Sequence, residues 1–171
     1  MQTRTRIAAT LATIVAGLAI SAMPVLAEMT IRIGAPWDGK TVPADQVCGL
    51  QGGDGSTPPF SISGLPAQTT AIQIEYNDIS YVPMAFNGGH GVIEYAVSGE
   101  GADLPVLPAM TADLPPGASL VSAGRGSGQY ASDGYMPPCS GGRGHRYQAL
   151  VKAMGADGAV LESQRVEMGL Y

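Results

Sequence analysis

The sequence has little charge and few side chains suited to chemistry. Of its 171 residues 13% are charged, and 9 lysines and arginines are outnumbered by 14 aspartates and glutamates. A chain with a net charge of −5 and scattered basic residues lacks the basic face that nucleic acids require, so we expect no nucleic-acid partner. Low charge combined with 45% hydrophobic residues also excludes a disordered chain.

Glycine and proline, in contrast, are abundant. The 24 glycines and 13 prolines make up about a fifth of the chain, nearly twice the usual share, which excludes a mainly helical bundle. Short apolar segments alternate with polar residues between the Gly and Pro positions, a pattern typical of strands. The sequence therefore predicts a mainly β fold with little helix.

Regular alternation identifies the individual strands. We predict strands at residues 29–33, 60–62, 70–76, 92–97, 119–122 and 146–154. Residues 160–168 are predicted as a strand or a short helix. Two long loops, 77–90 and 124–145, lie beside the best of these strands. Loops of this length in a compact domain usually carry function, so the candidate site is expected there.

The N-terminal residues have the composition of a secretory signal peptide. Arg4 and Arg6 precede an uncharged apolar stretch, 7–20, and Ala27 ends a small-residue cleavage site. The apolar stretch is shorter than the roughly 20 residues that a membrane-spanning helix needs, so a membrane anchor is the weaker interpretation. We therefore predict a signal peptide over 1–27 and a periplasmic or secreted protein without stable membrane insertion.

Removal of this peptide leaves one predicted domain, 28–171, whose net charge falls from −5 to −7 with the loss of two arginines. The two cysteines of the domain, Cys48 and Cys139, would meet an oxidising compartment, where disulfides persist. A disulfide between them would close a loop of about 90 residues. Two unpaired thiols are the alternative.

Both histidines of the chain lie where a long loop meets a strand. Glycines around His90 leave room for a ligand, although alternation along the following strand places it opposite the more apolar face. His145 and Tyr147 share one face of their predicted strand, and Asp78 shares a face with Tyr76 if that strand runs on so far. A carboxylate, two imidazoles and a phenol at one sheet end suit a small anion. The alternative is that each histidine only bonds a backbone carbonyl.

Other chemistries have weaker support. The alternative function is a periplasmic metal or redox module with ligands of the type that copper prefers, formed by His90, His145, Met136 and Cys139. The spacing of these residues matches no compact metal motif, so we expect no metal and no cofactor. The chain has no Gly-x-Ser-x-Gly elbow, and the glycines around Arg125 are not followed by the Lys-Ser/Thr of a phosphate loop. We therefore expect a binding protein and not an enzyme.

Several short motifs follow one another over about 130 residues. The first half carries D-G-K-T-V-P at 38–43, C-G at 48–49 and S-T-P-P-F-S-I-S-G-L-P at 56–66. The second half carries G-Y-M-P-P-C at 134–139, H-R-Y at 145–147 and G-A-V-L followed by G-L-Y within 158–171. In order and spacing this series resembles the phosphatidylethanolamine-binding protein family, and most closely its bacterial Raf-kinase-inhibitor-like branch.

The resemblance implies a fold of two antiparallel sheets with a small anion pocket. Members of the family bind phosphate or phosphorylated headgroups there, and some regulate kinases or other signalling proteins. Matched by motif, the implied pocket residues are Asp78, His90, Pro137, Pro138, His145 and Tyr147. The ligand is accordingly expected to be a small anion, and a protein partner is left open.

The chain departs from the family pattern at the pocket itself. The motif D-P-D-A-P is replaced by a segment that begins Asp78-Ile79-Ser80, so its second carboxylate is missing. Gly89 stands in place of the aromatic residue before the pocket histidine, and Ile62 stands where the family has tryptophan. We therefore expect a more open and less aromatic pocket.

These observations together predict an exported, non-catalytic protein that binds small anions or regulates a partner. We hypothesise that His90, His145 and Tyr147 donate hydrogen bonds to the anion and that Asp78 orients an imidazole or a water. Protonated imidazoles would then favour binding below about pH 6.5. Because the domain carries a net charge of −7, an anion site must be a local feature that opposes the field of the whole protein.

Overall fold

Eight β-strands account for most of the regular structure in the computed structural model, which describes residues 28–171. The predicted signal peptide, 1–27, lies outside the described residues. The strands are β1 (Thr30–Ile33), β2 (Phe60–Ser63), β3 (Thr69–Asp78), β4 (Val92–Ala96), β5 (Gly101–Leu104), β6 (Ala118–Ser122), β7 (Arg146–Gly155) and β8 (Val160–Leu170). Helical structure in this range consists of four short 3-10 turns, and none of it is long or apolar enough to cross a membrane. The fold is therefore mainly β, as predicted.

The strands form two antiparallel sheets. The smaller sheet has the order β1-β2-β5, and the larger has the order β6-β4-β3-β7-β8. The ten-residue strands β3 and β7 are neighbours in the interior of the larger sheet, and both alternate apolar and polar side chains along most of their length. Their register pairs Ile74 with Val151 and, at the far end, Asp78 with Tyr147. The predicted two-sheet architecture is confirmed.

One buried cluster combines the apolar faces of both sheets. Ile72, Ile74 and Tyr76 of β3 are almost fully buried in it, together with Val151 of β7 and Phe60 of the smaller sheet. Burying a side chain of this size stabilises the fold by about 1.5–3 kcal/mol. Since alternate residues of a strand share a face, the alternation that buries Tyr76 continues two residues further to the end of β3.

Two strands differ from the sequence-based expectation. Residues 160–168, predicted as a strand or a short helix, belong to the long strand β8. The strand β5 was not predicted, because its sequence Gly-Ala-Asp-Leu is only four residues long and has no β-branched or aromatic residue. It forms by pairing with β2, in a register that places Asp103 opposite Ser61. The hydroxyl of Ser61 donates to that carboxylate at 2.6 Å, a cross-strand contact that short-range sequence patterns do not reveal.

The C-terminus fixes the start of β7. The backbone N–H of His145 donates to the carbonyl oxygen of Tyr171 at 2.7 Å, and the N–H of Tyr171 donates back to His145 at 3.0 Å. Gly169 lets the end of β8 lie close to the loop after β1, because a Cβ there would be 2.7 Å from the carbonyl carbon of Thr41 and its φ is +133°. The residues just before β7 therefore have a defined backbone position.

A disulfide joins Cys48 to Cys139, so the alternative of two unpaired thiols is wrong. The two Cα atoms are 5.3 Å apart and 91 residues apart in sequence. Beside the disulfide, the N–H of Cys48 donates to the carbonyl oxygen of Pro138 at 2.9 Å. The covalent bond and the hydrogen bond together hold the segment before β7 against the loop that follows β1.

We expect the double substitution Cys48→Ser and Cys139→Ser to lower the free energy of unfolding by up to about 4–5 kcal/mol, because the disulfide restricts a long loop in the unfolded chain. Urea unfolding of the oxidised protein and the double variant measures the difference. Reduced wild-type protein is the control and should unfold like the variant. Equal midpoints for oxidised and substituted protein would contradict the expectation.

Candidate functional site

A cavity of about 420 Å³ opens where β3 ends and β7 begins. Its lining comes from three stretches of chain, within 78–90, 125–130 and 136–147. The first and third of these stretches meet because β3 and β7 are paired up to Asp78 and Tyr147. Four of the six site residues predicted from the sequence line this cavity: Asp78, His90, His145 and Tyr147.

Asp78 and His145 form a hydrogen-bonded pair in the cavity wall. Nδ1 of His145 lies 2.6 Å from Oδ2 of Asp78, and Oδ1 of Asp78 accepts the backbone N–H of Ser80 at 3.0 Å. The Asp78 side chain is 5% exposed and the His145 side chain 25%. Because the carboxylate accepts the Nδ1 proton, Nε2 is the nitrogen of His145 that remains for a ligand. The hydrogen bond to Asp78 thus fixes the orientation of this imidazole.

His90 is buried and makes a different contact. Its Nδ1 lies 2.7 Å from the carbonyl oxygen of Met136, so Nδ1 carries the proton and Nε2 remains for other contacts. Burial lowers the pKa of His90 from the ordinary 6.5 and outweighs the hydrogen bond to Met136 and the Asp78 carboxylate, which both raise it. Donation from His90 to an anion would require a second proton on Nε2, which burial disfavours. Of the two histidines, this is the one that bonds a backbone carbonyl.

Glycines set the position of His90. Gly89 has no space for a side chain, since a Cβ there would lie 2.2 Å from the carbonyl oxygen of Met84. Gly91 adopts a φ of +113° and so separates His90 from the alternation of β4. The His90 ring packs edge-on against Tyr147, with ring centroids 5.3 Å apart. The alternation of side chains along β4 therefore does not determine where the His90 side chain lies.

Tyr147 presents a neutral hydroxyl to the site. Its oxygen accepts the backbone N–H of Cys139 at 3.1 Å. Burial raises the pKa of Tyr147 to about 12, and the nearby Asp78 carboxylate acts in the same direction. The hydroxyl therefore keeps its proton at neutral pH, and that proton can be donated.

Pro137 and Pro138 are buried but do not line the cavity. The Pro138 carbonyl oxygen accepts the N–H of Cys48 at 2.9 Å, and the Pro137 ring lies beside Gly55. Their neighbours Met136 and Cys139 contribute to the lining instead. The two prolines thus lie in the segment that forms the wall, in contact with the loop that carries Cys48 and Gly55.

The cavity is also lined by two arginines, Arg125 and Arg143, which the sequence analysis did not select as site residues. The guanidinium of Arg125 donates to the carbonyl oxygens of Pro83, Phe86 and Asn87 at distances of 2.6–3.3 Å, which ties its segment to the loop after β3. The guanidinium of Arg143 donates to the Ser140 carbonyl oxygen at 2.8 Å. Their only sequence signal is that both lie in the glycine-rich loop 124–145, where the sequence analysis expected the candidate site.

The charge of the cavity is positive on balance. Neither Arg125 nor Arg143 has a carboxylate within 4.0 Å in the part of the chain that the structure describes. Asp78 is the one carboxylate among the lining residues, and it is bonded to His145. Two permanent cations therefore face a space that holds a single, already partnered anion.

The metal or redox alternative lacks its thiolate ligand, because Cys139 is in the disulfide. Across residues 28–171, no group of three or more His, Cys, Asp or Glu side chains is arranged to hold a metal ion. Nothing in this part of the structure supports a metal site.

Two solved structures have a similar fold. Escherichia coli YbcL, described as a new member of the mammalian phosphatidylethanolamine-binding protein family, is 20% identical, with a TM-score of 0.54 over 85% of this chain and 98% of YbcL. CT736 from Chlamydia trachomatis, a proposed phosphatidylethanolamine-binding protein homologue, is 21% identical, with a TM-score of 0.52 over 84% and 96% of the two chains. No protein-family model and no curated protein sequence matches the chain. The fold implied by the sequence resemblance is confirmed.

Burial of neutral His90 should make stability depend on pH. Since the pKa of folded His90 lies below the ordinary 6.5, acidification below about pH 6.5 protonates the unfolded chain before the folded one. The stabilising contribution is thus complete above about pH 6.5 and is lost as the pH falls towards the folded pKa, by at most about 1.4 kcal/mol per pH unit. Urea unfolding between about pH 5 and pH 7.5 measures it.

The comparison variant is His90→Asn, whose amide N–H can replace the Nδ1–H donor. Its free energy of unfolding should fall less with acid than that of the wild type. The chain has only two histidines, so NMR can also follow the His90 ring directly. Parallel stability profiles, or a His90 ring that titrates above about pH 6.5, would refute the assignment.

Proposed function

We propose that this cavity binds a small anion, either phosphate or a phosphorylated headgroup, in an exported binding or regulatory protein that is not an enzyme. The observation that carries the proposal is the presence of Arg125 and Arg143 in one cavity without a carboxylate partner among the described residues. Arginine is the side chain best suited to bind phosphate, because its planar fork of donors matches the oxygens of the anion.

The two arginines would contribute to anion binding in different ways. Arg125 donates four hydrogen bonds to backbone carbonyls, so it contributes mainly its charge. Arg143 commits one hydrogen bond, to Ser140, and keeps the rest of its donors for a ligand. Tyr147 adds a neutral hydroxyl, and Nε2 of His145 adds a donor when the imidazole is protonated. A phosphate can thus accept hydrogen bonds from several kinds of side chain in this cavity.

The same contacts favour binding over catalysis. Covalent catalysis needs a nucleophile within hydrogen-bond reach of its base. The Ser140 hydroxyl donates to the Tyr171 carbonyl oxygen at 2.6 Å, and the Cys139 sulfur is in the disulfide. In residues 28–171, no hydroxyl or thiol is hydrogen-bonded to His145.

Two further lines support the ligand class and the location. YbcL and CT736, which share the fold, are both described in terms of phosphatidylethanolamine-binding proteins, and the ligand in that name carries a phosphorylated headgroup. The Cys48–Cys139 disulfide is of the kind that persists in the periplasm or outside the cell. A regulatory role would require a protein partner in the same compartment.

Calorimetric titration tests the proposal with inorganic phosphate, phosphoethanolamine and sulfate near pH 5.5 and pH 8. We expect binding at both pH values, because arginine remains charged throughout. Tighter binding of phosphoethanolamine than of phosphate would identify a headgroup as the ligand, and the reverse order would identify the free ion. Sulfate keeps its charge over this range, so a pH dependence with sulfate reports the imidazoles alone.

The variant Arg143→Gln should weaken phosphate binding at least about tenfold, since a charge-assisted hydrogen bond contributes about 1.5–3 kcal/mol. Arg165→Gln is the matched control. Arg165 is exposed on β8 outside the cavity, and its loss changes the net charge equally. Absence of heat for the wild type at both pH values, or an equal loss in the two variants, would overturn the proposal.

A further inference from the structure

Three tyrosines in the core carry hydroxyl groups that have no hydrogen-bond partner within residues 28–171. They are Tyr76, Tyr95 and Tyr135, which are 1%, 2% and 1% exposed. Burying a hydroxyl without a hydrogen bond costs free energy, so such groups in proteins almost always bond either the protein or an ordered water. None of the three lines the anion cavity, so their hydroxyls need an explanation of their own.

The three tyrosine rings belong to one cluster. Tyr95 of β4 pairs with Ile72 of β3, and residues four apart along a strand share a face, so Tyr76 lies on the same inner face of the larger sheet as Tyr95. Tyr135 comes from the segment before β7 and packs against Tyr76, with ring centroids 4.6 Å apart. All three rings are part of the buried core between the two sheets.

Thr57 adds a fourth buried hydroxyl from the side of the smaller sheet. Its backbone N–H donates to the Leu107 carbonyl oxygen at 3.1 Å, and its Oγ1 accepts the Leu107 N–H at 2.8 Å. These bonds continue the pairing of β2 with β5 beyond Phe60 and Leu104, so the position of Thr57 is fixed. Because Oγ1 accepts in this contact, the hydroxyl proton of Thr57 remains for a further bond.

The four hydroxyls lie close enough to influence one another. Burial raises the pKa of Tyr76 and of Tyr95, the Tyr95 hydroxyl adds to the rise at Tyr76, and Thr57 lowers the pKa of both. Burial also raises the pKa of Tyr135, with further contributions from Tyr147 and Tyr95. Neighbouring hydroxyls that form no direct hydrogen bond can be joined by one small molecule that both donates and accepts.

We propose that a buried water molecule binds between these hydroxyls and links the two sheets through hydrogen bonds. Globular proteins hold about one buried water per 27 residues, typically with about three hydrogen bonds to polar groups that otherwise have no partner. Water matches the four groups because each of them is neutral and can donate as well as accept. The link would connect β3 and β4 with the loop before β2 and the segment before β7. It does not depend on the proposed anion binding.

The water itself can be observed in two ways. A high-resolution crystal structure of the protein should show a water oxygen within hydrogen-bond distance of at least two of the four hydroxyls. Magnetic relaxation dispersion of oxygen-17 in water counts the molecules that a protein holds for longer than its tumbling time. The double variant Tyr76→Phe and Tyr95→Phe should hold one such water fewer than the wild type. Direct hydrogen bonds among the hydroxyls without a water, or an equal count in the two proteins, would overturn the proposal.

Thermal unfolding of the single variants Tyr76→Phe and Tyr95→Phe gives a second test. Each substitution should lower the midpoint by about 2–4 °C, because it removes a hydrogen bond to the water and leaves the remaining groups less well paired. The double variant should lose less than the sum, since the first substitution already weakens the site. Tyr81→Phe is the matched control: Tyr81 is 50% exposed, so loss of its hydroxyl should leave the midpoint unchanged.

The opposite sign of the shift refutes the water site. If the buried hydroxyls have no partner, each phenylalanine removes an unpaired polar group without opening a cavity, and the midpoint should rise. A rise in both single variants, or losses that add fully in the double variant, would therefore contradict the proposal.

Discussion

The candidate site depends on the register between β3 and β7. Pairing Asp78 with Tyr147 brings a buried carboxylate next to a buried phenol, and His145, two residues earlier, then reaches the carboxylate. Because side-chain direction along a strand has a period of two, a shift of one residue would turn Asp78 to the other face. The same shift would expose apolar residues such as Ile74 and Val151, so the packing of the core enforces the geometry of the site.

Strand periodicity explains which part of the fold and site could be predicted from the sequence. Six strands and the grouping of Asp78, His145 and Tyr147 follow from alternation, because these residues lie on or next to regular strands. His90 is placed by Gly91, whose left-handed backbone interrupts that alternation, so counting back from β4 cannot locate it. The resemblance to a known family, and not strand periodicity, implied that His90 belongs to the pocket.

The rest of the site depends on loop conformation, which has no period. The Arg125 side chain is held at the cavity by hydrogen bonds to backbone carbonyls such as that of Phe86, 39 residues earlier in the chain. The Arg143 side chain is held by the carbonyl of Ser140 in its own glycine-rich turn. Pro137 and Pro138 belong to the segment that the resemblance indicated, but the residues of that segment that line the cavity include their neighbours Met136 and Cys139. Yet these two arginines decide the electrostatics: in a domain of strongly negative charge, they make one small volume positive, while burial keeps His90 neutral.

The disulfide belongs to the binding surface as much as to the fold. Cys139 lines the cavity, and its backbone N–H donates to the Tyr147 hydroxyl oxygen. A chain with reduced thiols lacks the covalent link behind this wall. The shape of the cavity therefore depends on the oxidation state of two cysteines 91 residues apart in the sequence, and reduction would alter the candidate site together with the fold.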